Sequence, residues 1–279
     1  MTMSGDVIID GERFAPERAF ISVFDISLLR GYGCFEAMRA YGGVAFRDGG
    51  HLDRLERSAA ALALSLPPRR DLAAWVRRTA ADLGDGRVVV LVTGGRDADH
   101  PGLGSRVIVY GEGLPHVPEA FRLLPVPAPW HSAGASYELT GVKSTSYAPN
   151  MSARLTALDR GFHDALLVGR AGEVLEGPTY SIGWVQGGSP VTPSLDLGIL
   201  ASITRQVTIE AATAVGLVVR EVEVTLDEML AADEIFVMST IREVAPVVAV
   251  GDHRFEPGPV TATLAAAFRA IVSAETGAS

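Results

Sequence analysis

The sequence of 279 residues has little of several kinds of side chain, and each scarcity excludes a class of protein. Its one cysteine, Cys34, cannot form a disulfide within the chain, which excludes a small disulfide-stapled scaffold. No uninterrupted apolar run reaches the roughly 20 residues that a membrane-spanning helix needs. The 24 Lys and Arg are outnumbered by 33 Asp and Glu, and the net charge of -9 disfavours binding to nucleic acid or anionic lipid.

Lysine is the most informative scarcity. Lys143 is the single lysine, and every other basic residue is an arginine, whose guanidinium does not act as a neutral amine. The flanking residues are small or carry hydroxyl groups, as in Ser144-Thr145-Ser146, and no acid is adjacent. A lysine kept from solvent has a lowered pKa and acts as a nucleophile and base. Amine chemistry is therefore one interpretation of Lys143, and an ordinary surface lysine is the other.

The remaining composition, 48% hydrophobic and 20% charged, is typical of a globular chain, and its length suggests two domains or one large one. The start of the chain lacks the basic and then apolar pattern of a signal peptide, so we expect a cytoplasmic protein. Helical and strand patterns are mixed along the chain, which predicts an α+β (mixed α/β) fold. The predicted elements are a hairpin over 7–14 about Asp10-Gly11, helices over 52–64, 71–83, 150–161, 203–215, 226–231 and 263–273, and strands over 88–93, 107–110, 165–168, 181–185, 218–224 and 234–238.

A proline-rich stretch between Gly111 and Pro129 interrupts these patterns. Because proline cannot donate to a strand ladder, we expect no central strand there and place a domain junction in this stretch. The predicted organisation is a small N-terminal domain over 1–115, a linker over 116–129 and a larger C-terminal domain over 130–279.

Four other features indicate chemistry or allow a simpler interpretation. Glu176 follows an apolar pair at a Gly-Pro turn, where a solvated glutamate is the alternative. The predicted helix that begins at Ile203 offers unpaired N–H groups to an anion, or is an ordinary helix with a serine cap. Thr240 follows an apolar strand, at a phosphate-side position or in a simple turn. Arg54, on a predicted helix, supplies a cation for the same anion or lies on a solvated face.

A lysine, a later carboxylate, a helix start and a Ser-Thr strand end, in this order along the chain, resemble a single family. The segments that carry the resemblance are Arg30–Glu36, His51–Leu55, Lys143 with its hydroxyl run, Leu175–Gly177, Gly198–Arg205, Ala232–Phe236 and Thr240–Pro246. They are similar to the pyridoxal-phosphate enzymes of fold type IV, the class IV aminotransferases. The resemblance implies a two-domain fold with a small N-terminal α/β domain and a larger C-terminal pseudo-barrel, a pyridoxal 5'-phosphate cofactor and a homodimer.

The resemblance also implies a role for each matching residue. Lys143 would hold the cofactor as an internal aldimine and move the proton at the substrate Cα, and Glu176 would pair with the pyridine nitrogen. Tyr147 would reach the ring hydroxyl, although a packing role fits it equally. The phosphate would be held by Arg54, by the backbone at Ile203 and Thr204, and by Thr240.

The substrate side matches the family less well. The segment Thr93–His100 carries Arg96 and His100 four residues apart, whereas D-amino acid aminotransferases have Arg and His two apart to bind the carboxylate. The tyrosine and arginine of branched-chain enzymes are also replaced, by Leu91-Val92-Thr93. Arg96 and Arg242 are candidates for the carboxylate, with loop ion pairs as the alternative. The other expected substrate-binding residues are Phe35, Tyr180 and Ile241.

The first hypothesis is therefore a transaminase that moves an amino group between a D-amino acid, or also an (R)-amine, and a 2-keto acid. The second is aminodeoxychorismate lyase, which uses the same lysine and glutamate to eliminate pyruvate, and the third is a branched-chain L-amino acid aminotransferase. A binding protein with a degenerate site is the remaining alternative, and a Lys143→Ala variant would separate it from the enzymes. We expect no metal, membrane or nucleic-acid partner.

Overall fold

The computed structural model describes residues 3–278. The helices in this part of the chain are α1 (Ile26–Arg30), α2 (Asp48–Ala61), α3 (Arg69–Leu83), α4 (Ala148–Asp159), α5 (Ile203–Ala214), α6 (Leu226–Met229) and α7 (Pro259–Thr276). The strands are β1 (Met3–Ile9), β2 (Glu12–Phe14), β3 (Gly33–Tyr41), β4 (Val44–Ala45), β5 (Gly86–Thr93), β6 (Val107–Glu112), β7 (Phe121–Pro127), β8 (Asp164–Val168), β9 (Ser181–Gln186), β10 (Ser189–Pro193), β11 (Arg220–Val222), β12 (Glu234–Ser239), β13 (Glu243–Val250) and β14 (His253–Arg254). The predicted mixed α+β fold class is confirmed.

The described chain forms two compact units. The first contains residues 3–116, Val142–Tyr147 and residues 272–278, and the second contains Val117–Gly141 and Ala148–Ile271. The segment that carries Lys143 thus packs with the first unit, although it lies beyond His116 in the sequence. The division into domains over 1–115 and 130–279 stays a prediction.

The sheet of the first unit has the order β2-β1-β6-β5-β3-β4, and every pairing in it is antiparallel. The predicted hairpin about Asp10-Gly11 is confirmed, because Ile9 pairs with Glu12. The predicted helix over 52–64 is also confirmed as α2, which buries Leu52, Leu55 and Ala59 on one face.

The sheet of the second unit has the path β11-β10-β9-β12-β13-β7-β8, with β14 paired to β13. The segment after β8 joins both ends of this path: the Leu175 N–H donates to the Leu167 carbonyl, 3.1 Å away, and the Val174 N–H donates to the Val224 carbonyl, 2.9 Å away. Leu167 lies in β8, and Val224 lies two residues beyond β11. The sheet therefore curls into a half-barrel around an apolar core that contains Trp184.

The expectation of no central strand in the proline-rich stretch is wrong. Strand β7 lies inside this sheet, parallel to both β13 and β8. The Leu123 carbonyl accepts from Gly251, just beyond β13, so with the strand period of two Pro125 and Pro127 also face the β13 side. The pairing with β13 ends at Leu123, so the missing proline N–H groups leave no ladder bond unmade.

The start of α3 differs from the predicted helix over 71–83. The helix begins at Arg69 with Pro68 as its N-cap, so Asp71 lies in the first turn and does not cap it. The prolines before this helix set its start, and an acid in the first turn still complements the helix dipole. Besides β7, the strands without a predicted counterpart are β3, β4, β10, β13 and β14.

Candidate active site

The backbone around Lys143 is fixed to the edge of β3. The Phe35 N–H donates to the Lys143 carbonyl at 3.0 Å, and the Thr145 N–H donates to the Gly33 carbonyl at 2.8 Å. An antiparallel bridge pairs Cys34 with Ser144 between them. The segment therefore adds a short strand to the sheet of the first unit, and this strand sets the position of the lysine.

Hydroxyl groups and one glycine complete this attachment. The side chains of Thr145 and Ser146 both donate to the Gly31 carbonyl, at 2.8 and 2.9 Å. A Cβ at Gly33 would lie 2.6 Å from the Val92 carbonyl oxygen and 3.1 Å from the Thr145 hydroxyl, so only glycine fits without movement. The hydroxyl run therefore holds the chain rather than facing solvent.

The Lys143 ammonium lies against an aromatic surface. Its Nζ is 4.4 Å from the centroid of the Phe35 ring, a cation–π distance, and Tyr147 meets the same ring edge-on at 5.7 Å. In addition, the backbone N–H of Lys143 donates to the Ser58 hydroxyl on α2 at 3.2 Å. The structure thus brings together three predicted site residues, Lys143, Phe35 and Tyr147.

Arg54 is buried, and its guanidinium is held by Glu36 of β3. Its Nε and Nη2 donate to the two Glu36 carboxylate oxygens at 2.6 and 2.7 Å, and the Nδ1 of buried His51 lies 2.8 Å from Glu36 Oε2. Burial alone would raise the pKa of Glu36, but the charge and hydrogen bonds of Arg54, with the hydrogen bond of His51, lower it to about 2. Burial lowers the pKa of His51, so it is neutral at neutral pH.

Glu176 lies in the second unit, and one of its two carboxylate oxygens accepts a hydrogen bond. Its Oε1 accepts from the Leu200 N–H at 3.2 Å and lies 3.9 Å from Nε2 of His131. In the described part of the chain, its Oε2 has no hydrogen-bond partner, and the side chain is 17% exposed. The carboxylate thus has a fixed side and a side that can accept from a ligand.

The start of α5 has free donors. Ser202 caps this helix by accepting from the Arg205 N–H at 3.3 Å. Among the described residues, no acceptor takes the N–H of Ile203 or Thr204, as expected for the first turn of a helix. Thr240 lies in the turn between β12 and β13. The predicted serine cap is confirmed, and it leaves the first N–H groups available to an anion.

The two candidate arginines have different surroundings. Arg96 is exposed on the loop after β5, and among the described residues it makes no side-chain ion pair. Arg242 is mostly enclosed: its Nη2 donates to buried Asp164 at 2.5 Å and its Nη1 donates to Thr179 at 3.1 Å. Its guanidinium also stacks on the Tyr180 ring at 4.8 Å.

The two remaining predicted substrate residues have different positions. Tyr180 belongs to the core of the second unit, where its hydroxyl donates to the Ala165 carbonyl at 2.5 Å. Burial raises its pKa, in keeping with a neutral phenol. Ile241 is half-buried in the β12–β13 turn.

The sequence pattern missed three residues near these groups, namely Glu36, His51 and His131. Each makes its contact with a residue distant in sequence, so periodicity gave no signal. The available signal at Glu36 was an acid inside the apolar run Cys34-Phe35-Glu36-Ala37-Met38, because a buried charge requires a partner. In the described chain, no helix has the length and apolar character to cross a membrane, and no group of His, Cys, Asp or Glu could hold a metal.

Known proteins share both the sequence and the fold. The family described as amino-transferase class IV matches residues 33–250. A putative branched-chain-amino-acid aminotransferase of Methanocaldococcus jannaschii is 32% identical over 86% of this chain and 86% of that protein. The D-alanine aminotransferase of Listeria monocytogenes is 29% identical, over 92% of this chain and 93% of its own. The aminodeoxychorismate lyase of Bacillus subtilis is 25% identical, over 92% of both chains.

A solved structure agrees with these matches. The branched-chain aminotransferase of Thermoproteus uzoniensis superposes with a TM-score of 0.89 and 29% identity, covering 98% of this chain and 96% of that one. The fold is therefore that of a fold type IV transaminase, and the cofactor of this class is pyridoxal phosphate. The chain belongs to the class IV aminotransferase family.

The groups on each unit fit this cofactor by their chemistry. A phosphate needs N–H donors, which Ile203 and Thr204 offer, and a protonated ring nitrogen needs an acceptor, which Glu176 Oε2 offers. Lys143 is the single side-chain amine of the chain. Arg54 fits less directly, because Glu36 already accepts from its Nε and Nη2.

Proposed function

We propose that this aminotransferase moves the amino group of a D-amino acid to a 2-keto acid. The observation that carries the catalytic part is the position of Lys143, whose backbone is paired to β3 and whose ammonium lies 4.4 Å from the Phe35 ring centroid. A fixed amine with an apolar neighbour is suited to take and return a proton repeatedly.

Pyridoxal phosphate, when bound, supplies a carbonyl carbon for an amine and an electron-withdrawing ring. Lys143 takes the proton from the substrate Cα and later returns it. Glu176 would accept a hydrogen bond from the protonated ring nitrogen through its Oε2. Phe35 and Tyr147 exclude water from the amine, and the Tyr147 phenol binds the ring hydroxyl.

We propose that the phosphate is held by the N–H groups of Ile203 and Thr204 and by the Thr240 hydroxyl. Helix dipole and unpaired donors at the start of α5 support the first two. Arg54 would contribute positive charge, and Glu36 fixes its orientation.

For the substrate carboxylate we propose Arg96 rather than Arg242. Arg96 is exposed and makes no side-chain ion pair within the described residues, whereas Arg242 is committed to Asp164 and Thr179. Replacing Arg96 by Gln should raise KM for the amino acid more than tenfold and change kcat less, because a charged carboxylate contact contributes to binding before the chemical step. An unchanged KM would remove Arg96 from this role. Ile241 remains proposed as an apolar contact.

The leucine at position 91 supports our proposal that the amino donor is not a branched-chain L-amino acid. It pairs directly with Phe35 across β3 and β5, so both side chains lie on the same face of the sheet. An aliphatic residue thus stands next to the ring that contacts Lys143, on the strand where branched-chain enzymes are expected to carry tyrosine and arginine. The second candidate is nevertheless a branched-chain aminotransferase, because the Methanocaldococcus and Thermoproteus proteins are of that type.

The test is the half-reaction of the cofactor-loaded protein with one amino donor and no keto acid, followed by visible absorbance. D-alanine should bleach the yellow form within minutes, whereas L-leucine and L-valine should leave it unchanged. Bleaching by the L-amino acids alone would replace our donor with the branched-chain candidate. Release of pyruvate from aminodeoxychorismate without bleaching would favour the lyase. A Lys143→Ala variant should lose the reaction. The control is Arg220→Ala, at an exposed residue, and it should keep the reaction.

We also propose a homodimer and a cytoplasmic location. Residues 20–29 expose a run of large apolar side chains, among them Phe20 at 74% and Phe24 at 64%, and a second copy of the chain would cover such a patch. Light scattering after size exclusion should give twice 29.4 kDa, and a Phe24→Ser variant should shift the mass toward the monomer. The single buried thiol, Cys34, suits a reducing compartment, and cell fractionation would test this.

A further inference from the structure

His131 is held in one orientation by its own loop. Its backbone N–H donates to the Ala128 carbonyl at 3.0 Å, and its ring Nδ1 accepts from the Ala133 backbone N–H at 3.1 Å. The side chain is 12% exposed. The first bond fixes the backbone of His131, and the second holds its ring in a mostly enclosed position.

These contacts decide which ring nitrogen carries the proton. Because Nδ1 accepts a hydrogen bond, the neutral imidazole has its proton on Nε2. Nε2 lies 3.9 Å from Glu176 Oε1, the same oxygen that accepts from Leu200. Two donors from separate segments thus lie on one side of the carboxylate.

We propose that His131 is a positioning residue for Glu176. This inference rests on the proposed function, in which Glu176 faces the ring nitrogen of pyridoxal phosphate. The Nε2–H group and the Leu200 N–H both lie on the Oε1 side of the carboxylate, and together they leave its other oxygen, Oε2, to face a ligand. His131 acts through Glu176 and touches neither substrate nor cofactor.

A purely structural role predicts a different ranking of variants. Asparagine places an acceptor where Nδ1 lies and can keep the bond to Ala133, but it is too short to reach Glu176. Glutamine places an N–H donor where Nε2 lies, but it loses the local acceptor. If His131 acts on Glu176, His131→Gln retains function better than His131→Asn, and if His131 only shapes the loop, the order is reversed.

The experiment titrates the full-length apoprotein with two probes, pyridoxal phosphate and its 1-deaza analogue, in which carbon replaces the ring nitrogen. His131→Asn should weaken binding of pyridoxal phosphate about tenfold, which is about 1.4 kcal/mol, and change binding of the deaza analogue less than twofold. His131→Gln should lie near the wild type with both probes. A general disturbance of the fold would weaken both probes alike.

Glu176→Gln is the reference variant, and it should show the same preference with a larger loss. If Glu176→Gln is selective and His131→Asn is not, the role of His131 is refuted while the proposed function stands. If Glu176→Gln is not selective either, the assignment of Glu176 fails, and the role of His131 fails with it. Better retention by His131→Asn than by His131→Gln also refutes the proposal.

Discussion

Replacing Glu36 by glutamine tests whether the buried ion pair holds the first unit together. Glu36 is fully buried and accepts from both Nε and Nη2 of Arg54, and His51 contacts its second oxygen. Glutamine has the same shape but carries no charge, so the variant leaves a buried guanidinium without its counter-charge. Breaking such a pair typically costs about 3–5 kcal/mol.

The pKa of Glu36 gives a second, independent magnitude. The pKa is lowered from 4.5 to about 2, which corresponds to about 3 kcal/mol of unfolding free energy, because one pKa unit corresponds to about 1.4 kcal/mol. A lowered carboxyl pKa stabilises the fold above pH 4.5, and this contribution is lost as the pH falls toward 2. The difference between wild type and variant should therefore be about 3 kcal/mol at pH 7 and about 1 kcal/mol smaller at pH 4.

The assay is urea denaturation followed by far-UV circular dichroism at both pH values. Glu56→Gln is the matched control, because Glu56 pairs with Arg69 on the surface, where the two side chains are 42% and 41% exposed. Its loss should cost less than about 1 kcal/mol. If Glu36→Gln stays within about 1 kcal/mol of the wild type at pH 7, the reasoning from burial and pairing is refuted.

Three further changes follow from the same structure, each measured by denaturation. Gly33→Ala should destabilise by about 1–3 kcal/mol, because its methyl group would lie 2.6 Å from the Val92 carbonyl, whereas Gly49→Ala, in open space on α2, should stabilise slightly; equal effects would contradict this. Asp164→Asn should cost about 3–5 kcal/mol, since this buried carboxylate accepts from two arginines, and a neutral result would show that they do not depend on it. The pKa of His51 is lowered by burial, so wild-type stability should fall as the pH drops below 6.5, and His51→Asn should flatten that slope; parallel profiles would contradict the assignment.

Much of the secondary structure could be predicted, because the longer helices bury one apolar face and several strands are short apolar runs buried on both faces. The helix α2 follows from the spacing of Leu52, Leu55 and Ala59, all of which are buried. Strand β7 was missed because its prolines disfavour a strand unless their missing donors face an unpaired side, and that depends on where β13 ends. The residue at which the pairing with β13 ends depends on the whole sheet and cannot be predicted from the local sequence.

The candidate site was predictable to a different degree. Lys143 stood out because it is the single lysine, and Glu176 by its place in the family pattern. The partners that fix such groups could not be predicted, because Glu36 is 18 residues from Arg54 in sequence and the two meet only through folding. The hydrogen bond from Arg242 to Asp164, 78 residues away, could not be predicted for the same reason.

The alternation of the chain between its two compact units limits how this enzyme can be recombined with its relatives. A chimera joined anywhere in residues 117–141 takes Gly33–Phe35 from one parent and Lys143–Thr145 from the other. The two parents must then match in a backbone pairing that neither half contains alone. Exchange of two segments together, the N-terminal part and Val142–Tyr147, keeps that pairing native.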